Sequence, residues 1–177
     1  AAALQQYFLN DNTACYVLTG DNYPHRIPMR NDEERLNVYN ESGEDGLRGY
    51  LGTPKEIDFD RINKELSEFK AGKDIIEIKH MGEDGDISYD ETDFTGIKVL
   101  ILEWTHGGSE YLKGVDIPVF LESSPEETKA RRIKRGRDEN AASPFICRVV
   151  ELEQEKLDLQ GKNARIVVGK DGKVYEQ

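Results

Sequence analysis

The chain has 177 residues, a length that suits one domain with a sizeable core and falls short of two ordinary domains. Its formal net charge of −11 disfavours contact with a phosphate backbone, so we expect no nucleic-acid partner. No apolar run approaches the roughly 18–20 residues of a membrane span and no signal peptide is recognisable. We therefore expect a cytoplasmic protein without a membrane partner.

The first third of the chain predicts a helix, a strand and a long loop. AAALQQYFLN consists of good helix formers with no N-cap before them, so we expect the chain to begin inside a helix. ACYVL, which ends at Leu18, is typical of a buried strand. Residues 22–52 are polar with several prolines and glycines, and we predict a long loop with room for a short helix from Asp32 to Tyr39. We expect this loop to be mobile and to close over a ligand.

The middle of the chain predicts one helix, one hairpin and two strands. DFDRINKELSEFKAG places Ile62, Leu66 and Phe69 on one helical face, and Asp58 or Asp60 can cap that helix. IIEIKH and ISYDET flank the turn-rich MGEDGD, which indicates a β-hairpin. KVLILE and IPVFL have the composition of buried strands.

The last third predicts two helices, a strand and a second hairpin. SPEETKARRIKR begins with a capping box, Ser124 and Glu127, and another helix starts at Ser143 and runs to about Leu159. ARIVV follows as a core strand, and GKDGKVYE forms a terminal hairpin. Apolar strands that alternate with helices predict an α/β fold, in which ACYVL, KVLILE, IPVFL and ARIVV are neighbours in one mostly parallel sheet with helices on both faces.

Two carboxylates follow strands of this predicted sheet. Asp21 comes shortly after ACYVL, and Glu103 is the last residue of KVLILE. Ligands of parallel sheets lie beyond the carboxyl ends of the strands. The two side chains can therefore share Mg²⁺, or one can act as a base towards an attacking hydroxyl. Taken alone, each is equally well explained as a helix cap or a solvated side chain.

Positive charge is concentrated in one segment of this acidic chain. A quarter of all lysines and arginines lie within nine residues, namely Lys129, Arg131, Arg132, Lys134, Arg135 and Arg137. On a helix, Arg131, Arg132 and Arg135 fall within about 100° of one another. Converging guanidinium groups suit a polyphosphate, because each forms bidentate bonds to phosphate oxygens. A solvated helix face is the alternative.

The order of these motifs resembles the phosphoribulokinase/uridine kinase family of P-loop small-molecule kinases, whose wider group includes pantothenate kinase and glycerate kinase. The residues that carry the resemblance are LTGDNYPHR, GYLGTPKEIDFDRINKELSEFKAGK, VLILEW and IPVFLESSPEETKARRIKRGRD. The resemblance covers nearly the whole chain. It implies a single P-loop NTPase-like domain over residues 1–177, with a substrate-side loop, helix and β-hairpin at 22–96 and an arginine-rich lid at 124–142.

The resemblance also implies roles for individual residues. Asp21 is the implied base for the substrate hydroxyl and lies near Mg²⁺, and Glu103 assists the metal. Tyr23, the aromatic residue two positions after Asp21, is implied to bind substrate. The lid arginines would close over the ATP phosphates, and two of them would also stabilise charge during transfer. The phosphate-binding arginines are Arg131, Arg132, Arg135 and Arg137, of which Arg132 and Arg135 are the catalytic pair.

The chain departs from the family at its start. The GxxxxGK[ST] phosphate loop, which holds the ATP phosphates and Mg²⁺, does not occur in the sequence. The family places that loop directly before the helix that here opens with AAALQQYF. We therefore expect the domain to be N-terminally incomplete, without its first strand and phosphate loop, and the chain by itself not to be an efficient kinase. Whether a phosphate loop lies upstream of Ala1 is left open by the sequence.

The acceptor is left open by these residues. His25, Arg26 and Arg30 follow Asp21 and suit an anionic acceptor such as a sugar phosphate or a hydroxy acid, although each can be a solvated loop side chain. Tyr50 is either a substrate wall or a core aromatic residue, and His80 lies only roughly where the family's hairpin contacts a nucleoside.

The function that we predict is ATP-dependent, Mg²⁺-assisted phosphorylation of a hydroxyl on a small metabolite. The alternative is a non-catalytic nucleotide- or phosphate-binding regulatory module that kept the fold. Self-association into a homo-oligomer stays open.

Overall fold

The structure, a computed structural model, describes residues 1–82, 86–123 and 143–177. Four helices occur in these ranges: α1 (Ala2–Asn10), α2 (Pro28–Arg48), α3 (Phe59–Lys70) and α4 (Pro144–Gly161). The strands are β1 (Cys15–Thr19), β2 (Ile75–Met81), β3 (Ile87–Asp93), β4 (Val99–Glu103), β5 (Val119–Leu121), β6 (Ile166–Val168) and β7 (Val174–Glu176). The fold is thus mixed α/β, as the alternation of apolar strands and helices predicted.

Two pairs of parallel strands occur in the fold. β1 lies parallel to β4 with Cys15 opposite Val99 and Thr19 opposite Glu103. β5 lies parallel to β6, and β7 pairs antiparallel with β6. The four strands were predicted to be neighbours in one sheet. Among the described residues no hydrogen-bonded ladder joins β4 to β5, so the expectation of one continuous sheet was wrong. The predicted parallel direction was confirmed within each of the two pairs.

The predicted hairpin and the predicted helix next to it pack against β1. β2 and β3 pair antiparallel from Ile75 opposite Asp93 to Met81 opposite Ile87. α3 begins at its N-cap Asp58, whose side chain accepts a hydrogen bond of 3.0 Å from the backbone N–H of Arg61. The main core consists of apolar residues from α3, β1, β2 and the segments between them: Leu18, Tyr23, Ile57, Phe59, Ile62, Leu66, Ile76, Ile78 and Phe94.

α2 replaces most of the long loop that we predicted for residues 22–52, and it contains the short helix that the prediction allowed from Asp32 to Tyr39. The helix starts with Pro28 at its first turn, a position where proline loses no hydrogen bond, and is interrupted at Gly43, whose φ is 65°. Its buried residues are Asn31 and Leu47. A helix whose inner face is largely polar gives no apolar periodicity, and the sequence pattern therefore indicated a loop.

α4 forms a second, smaller core with α2. Ser143 caps α4 by accepting a hydrogen bond from the backbone N–H of Ile146 at 3.1 Å, as its Ser-Pro start predicted. The buried residues of this cluster are Leu47, Leu51, Val149 and Leu152. Within the described ranges, no helix has both the length and the apolar character that crossing a membrane requires. The predicted helix at 124–135 lies outside the described residues.

Candidate functional site

The carboxyl ends of β1 and β4 bring Asp21 and Glu103 to the same edge. Thr19 is the register partner of Glu103, and a 3₁₀ turn over Gly20–Asn22 carries Asp21 directly beyond it. Both carboxylates are exposed. The surrounding protein removes part of the hydration of Asp21, and that loss, followed by repulsion from Glu103, raises the pKa of Asp21. The Glu103 carboxylate is therefore near enough to influence Asp21.

Two exposed carboxylates at one edge are a donor set that Mg²⁺ accepts. Magnesium prefers oxygen ligands and is commonly held by one or two carboxylates together with substrate phosphates and water. Among the described residues there is no group of three or more His, Cys, Asp or Glu side chains that could hold a metal by themselves. A metal at this edge would therefore be shared between Asp21, Glu103 and phosphate oxygens.

An aromatic residue lies beneath this edge. A Cβ atom on Gly20 would lie 1.8 Å from Cγ of Trp104, so the indole ring occupies the space that only glycine leaves open. The ring centroid of Trp104 lies 5.5 Å from those of Phe59 and His106. Gly20 thus makes room for Trp104, the residue directly after Glu103.

Tyr23 is a core residue in this structure. Its side chain is 0% exposed, and its hydroxyl donates a hydrogen bond to Glu65, which is itself buried. Glu65 also accepts from Arg61 at 2.6 Å and from the backbone N–H of Lys79 at 3.2 Å. Burial, followed by the hydrogen bond to the Glu65 carboxylate, raises the pKa of Tyr23. The structure therefore places Tyr23 below the carboxylate edge rather than on its surface.

The loop cations predicted near Asp21 each have a partner. The His25 Nε2 atom lies 3.0 Å from the Pro54 carbonyl oxygen. Arg26 pairs with Glu34 at 3.5 Å, and Arg30 with Glu33 at 2.7 Å. The positive charges of Arg26 and Arg30 are thus offset by carboxylates on α2, which weakens the case for an anionic acceptor.

His80 lies on the hairpin next to the 3₁₀ turn. Met81, the residue after it, donates a backbone hydrogen bond of 3.3 Å to the side-chain oxygen of Asn22. The His80 ring faces Asp90 across the hairpin, with Nε2 and Oδ2 3.9 Å apart. The hydrogen bond to Asn22 therefore brings the end of β2 next to the turn that carries Asp21. Substrate contact by His80 stays a prediction.

A buried polar network that the sequence did not indicate lies between α2 and α4. Its centre is Glu56, which is 1% exposed. The Glu56 carboxylate accepts hydrogen bonds from the Asn31 amide at 3.0 Å, from Arg35 at 2.6 Å and from the backbone N–H of Gly52 at 2.6 Å. Although burial alone would raise it, these partners, Arg35 above all, hold the pKa of Glu56 below its usual range. Glu56 is therefore a buried anion.

Two aromatic side chains border the Glu56 network. Tyr50 is 5% exposed, and burial followed by the Glu56 carboxylate raises the pKa of its hydroxyl. His106 is 6% exposed, and burial lowers its pKa to about 4, so the imidazole is neutral at pH 7. Sequence reasoning considered Tyr50 and missed Glu56 and His106, because a single His or Glu carries no local pattern. The lid arginines, Arg131, Arg132, Arg135 and Arg137, lie outside the described residues.

Comparison with known proteins agrees with this fold. No protein-family model matches the chain. The chain is 75% identical over 178 residues to the bifunctional alpha-galactosidase/sucrose kinase AgaSK of Mediterraneibacter gnavus, and the match covers 100% of this chain and 19% of that relative's length. The phosphoribulokinase from Rhodobacter spheroides superposes with a TM-score of 0.72 over 95% of this chain and 64% of that chain, at 11% identity. The phosphoribulokinase-like fold that the motifs implied is thereby confirmed.

Proposed function

We propose that this chain forms part of a kinase that transfers a phosphoryl group from ATP to a hydroxyl of sucrose or a closely related sugar. The observation that carries the proposal is the pair of carboxylates, Asp21 and Glu103, at one edge of a phosphoribulokinase-like fold. The sugar comes from the name of the relative that is 75% identical over the whole chain. Residues 1–177 would act as one domain, with 22–96 on the acceptor side and 124–142 as the lid.

An uncharged acceptor fits the described residues better than the anionic one that the loop cations suggested. Arg26 and Arg30 are each paired with a glutamate of α2. An added phosphate or carboxylate would have to displace these glutamates or approach them against repulsion. A neutral sugar meets no such repulsion.

In the proposed mechanism Asp21 removes the proton from the acceptor hydroxyl. Burial, followed by repulsion from Glu103, raises its pKa, which makes it a stronger base than an ordinary aspartate. Transfer of this type depends mainly on positioning and on neutralising phosphate charge. Mg²⁺, which Asp21 and Glu103 would hold together with ATP, supplies part of that neutralisation, and Arg132 and Arg135 of the lid would supply the rest.

The Asp21→Asn variant tests the proposal. Asparagine keeps the size and most of the hydrogen bonding of the side chain and removes the base, so kcat for sucrose phosphorylation should fall roughly 10²–10⁴-fold with little change in KM. The assay follows sugar phosphate by ³¹P NMR, with ATP and Mg²⁺, in the protein as its gene encodes it in full.

Asp11→Asn is the matched control, because Asp11 precedes β1 and lies at the opposite end of that strand. It should leave turnover unchanged. Near-normal turnover of Asp21→Asn would contradict the mechanism. If the complete protein transferred phosphate to no sugar yet bound ATP, the alternative of a nucleotide-binding regulatory module would replace the kinase.

A further inference from the structure

Three buried polar atoms lack hydrogen-bond partners among the described residues: Asn31 Oδ1, Tyr50 Oη and His106 Nδ1. The side chains that carry them are 6%, 5% and 6% exposed. Buried polar groups are nearly always paired in native proteins, and each exception asks for an explanation such as a missing ligand or an internal water. Three exceptions in one region point to something that binds there.

All three atoms belong to residues around Glu56. The Asn31 amide nitrogen bonds to Glu56 Oε1, which leaves the amide oxygen on the same side chain unpaired. Gly52 donates its N–H to Glu56 Oε2, and a Cβ atom on Gly52 would lie 2.9 Å from His106 Nδ1. Tyr50 precedes Gly52 by two residues, and its hydroxyl interacts electrostatically with the Glu56 carboxylate.

We propose that Asn31 Oδ1, Tyr50 Oη and His106 Nδ1 form a subsite that binds hydroxyl groups of an uncharged sugar. The identity of that sugar as the phosphoryl acceptor rests on the proposed function. A sugar hydroxyl both donates and accepts hydrogen bonds. It can donate to the amide oxygen, which only accepts, and can meet the phenol and the imidazole in either direction.

The charges around the subsite are balanced, which favours a neutral ligand. Arg35 bonds to Glu56 and also to Glu153 at 2.9 Å. Lys156 donates to the Leu51 carbonyl oxygen. Two carboxylates and two cations thus surround the unpaired atoms. An anionic ligand would upset this balance and would approach the buried Glu56 carboxylate.

Entry of a sugar requires α2 to move, because the three side chains are buried. The buried residues of α2 are Asn31 and Leu47, so the first half of this helix has little apolar contact with the core. Its inner face is held through Arg35, and the helix is interrupted at Gly43. Segments with few buried apolar contacts open at low free-energy cost. The first half of α2 is therefore the element that would close over a bound sugar.

The test compares Tyr50→Phe with the unchanged protein, both as the gene encodes them in full and without ATP. Sucrose is titrated, and amide hydrogen exchange in residues 28–42, which include Asn31, reports binding on this side of the molecule. The unchanged protein should show sucrose-dependent protection there. Tyr50→Phe should need about 2- to 13-fold more sucrose, the effect of losing one neutral hydrogen bond. Its stability without sugar should be unchanged or higher, because the deleted hydroxyl was unpaired.

Tyr39→Phe is the control, since Tyr39 lies exposed on the same helix with its ring against Phe145. It should leave the sucrose titration unchanged. Absence of sucrose-dependent protection in the unchanged protein would overturn the subsite. So would an unaltered titration in Tyr50→Phe together with a loss of stability, which is the result expected if an internal water fills the site.

The subsite and the kinase can fail separately. Sucrose phosphorylation with an unchanged KM in Tyr50→Phe would refute the subsite and leave the kinase standing. Loss of sucrose protection in Tyr50→Phe, in a protein that transfers no phosphate, would refute the kinase and leave the sugar subsite standing.

Discussion

α2 and α3 are neighbouring helices that are held in place by different chemistry. α3 buries Phe59, Ile62 and Leu66 in the main core. α2 is held along its first half by Asn31 and Arg35, which bond to the buried Glu56 carboxylate. Apolar burial stabilises a helix without directional requirements, whereas a polar inner face stabilises it only when every partner is in place.

This difference has a consequence for function. A helix held by apolar burial suits a fixed support, and α3 supports Trp104 through the contact of its Phe59 ring. A helix held by a few ion pairs and hydrogen bonds can release and re-form its contacts around a ligand. The comparison predicts that removing a charge from the inner face of α2 lowers the free energy of unfolding more than removing one from its outer face. It also predicts that the stability of the region around α2 depends on pH.

The largest expected effect comes from Arg35→Met. The change leaves the buried Glu56 carboxylate without its cation, which should lower the free energy of unfolding by about 3–5 kcal/mol. Arg30→Met on the same helix removes a surface ion pair with Glu33, in which the two side chains are 62% and 51% exposed. Its loss should lower the free energy of unfolding by only about 0–1 kcal/mol. Chemical denaturation measures both. Equal losses would mean that α2 does not depend on its buried ion pair.

A pH titration of stability should give the next largest effect. The pKa of His106 is about 4 in the fold, because the ring is buried, against an ordinary value of 6.5 in the unfolded chain. Between these values the unfolded chain binds a proton that the folded chain does not. Stability is therefore full above about pH 6.5 and should fall by on the order of 3 kcal/mol as the pH drops towards 4.

His106→Asn removes the titrating ring and should flatten this part of the pH profile, measured as the free energy of unfolding without sugar. His25→Asn, at an exposed histidine, is the control. Glu56, whose pKa is lowered, adds its own loss of stability only below about pH 4.5, so the two groups can be separated. An unchanged slope between pH 6.5 and 4.5 in His106→Asn would show that His106 is not the group responsible.

A smaller effect is expected at the interruption of α2. Gly43 has φ 65° and ψ −161°, a conformation that is essentially restricted to glycine. Gly43→Ala should destabilise the fold by about 1–3 kcal/mol through backbone strain, because no neighbouring atom lies within 4 Å of the added Cβ. Gly49→Ala, where φ is −76°, is the matched control and should stay within about 0.5 kcal/mol. Denaturation midpoints decide whether the kink is a strained feature.

The smallest effect is expected at the start of α3. Asp58→Ala removes the side chain that accepts from the Arg61 N–H and should cost about 1 kcal/mol. Asp60→Ala should cost less, because Asp60 lies in the first turn of α3 and is not its N-cap. Thermal unfolding compares the two. A larger loss at Asp60 would assign the cap to the other candidate that the sequence allowed.

Much of the fold was predictable because its signals are local. α3 and the β2–β3 hairpin were visible as helical periodicity and as two polar-apolar runs around a turn. Asp21 and Glu103 were predictable as neighbours at one edge, because the ends of parallel strands meet there. α2 was not predictable, since Asn31 and Arg35 occupy the inner face where apolar residues usually mark a helix.

The sequence by itself therefore determined the elements that depend on short-range pattern: the strands, α3, α4 and the position of the carboxylates after their strands. Only the tertiary structure decided which polar groups are buried. Glu56 becomes a buried anion because residues distant in sequence, Asn31 and Arg35, converge on it, and His106 approaches from the segment after β4. Burial of a charge is stable only when its partners arrive together, and that condition has no local signature in the chain.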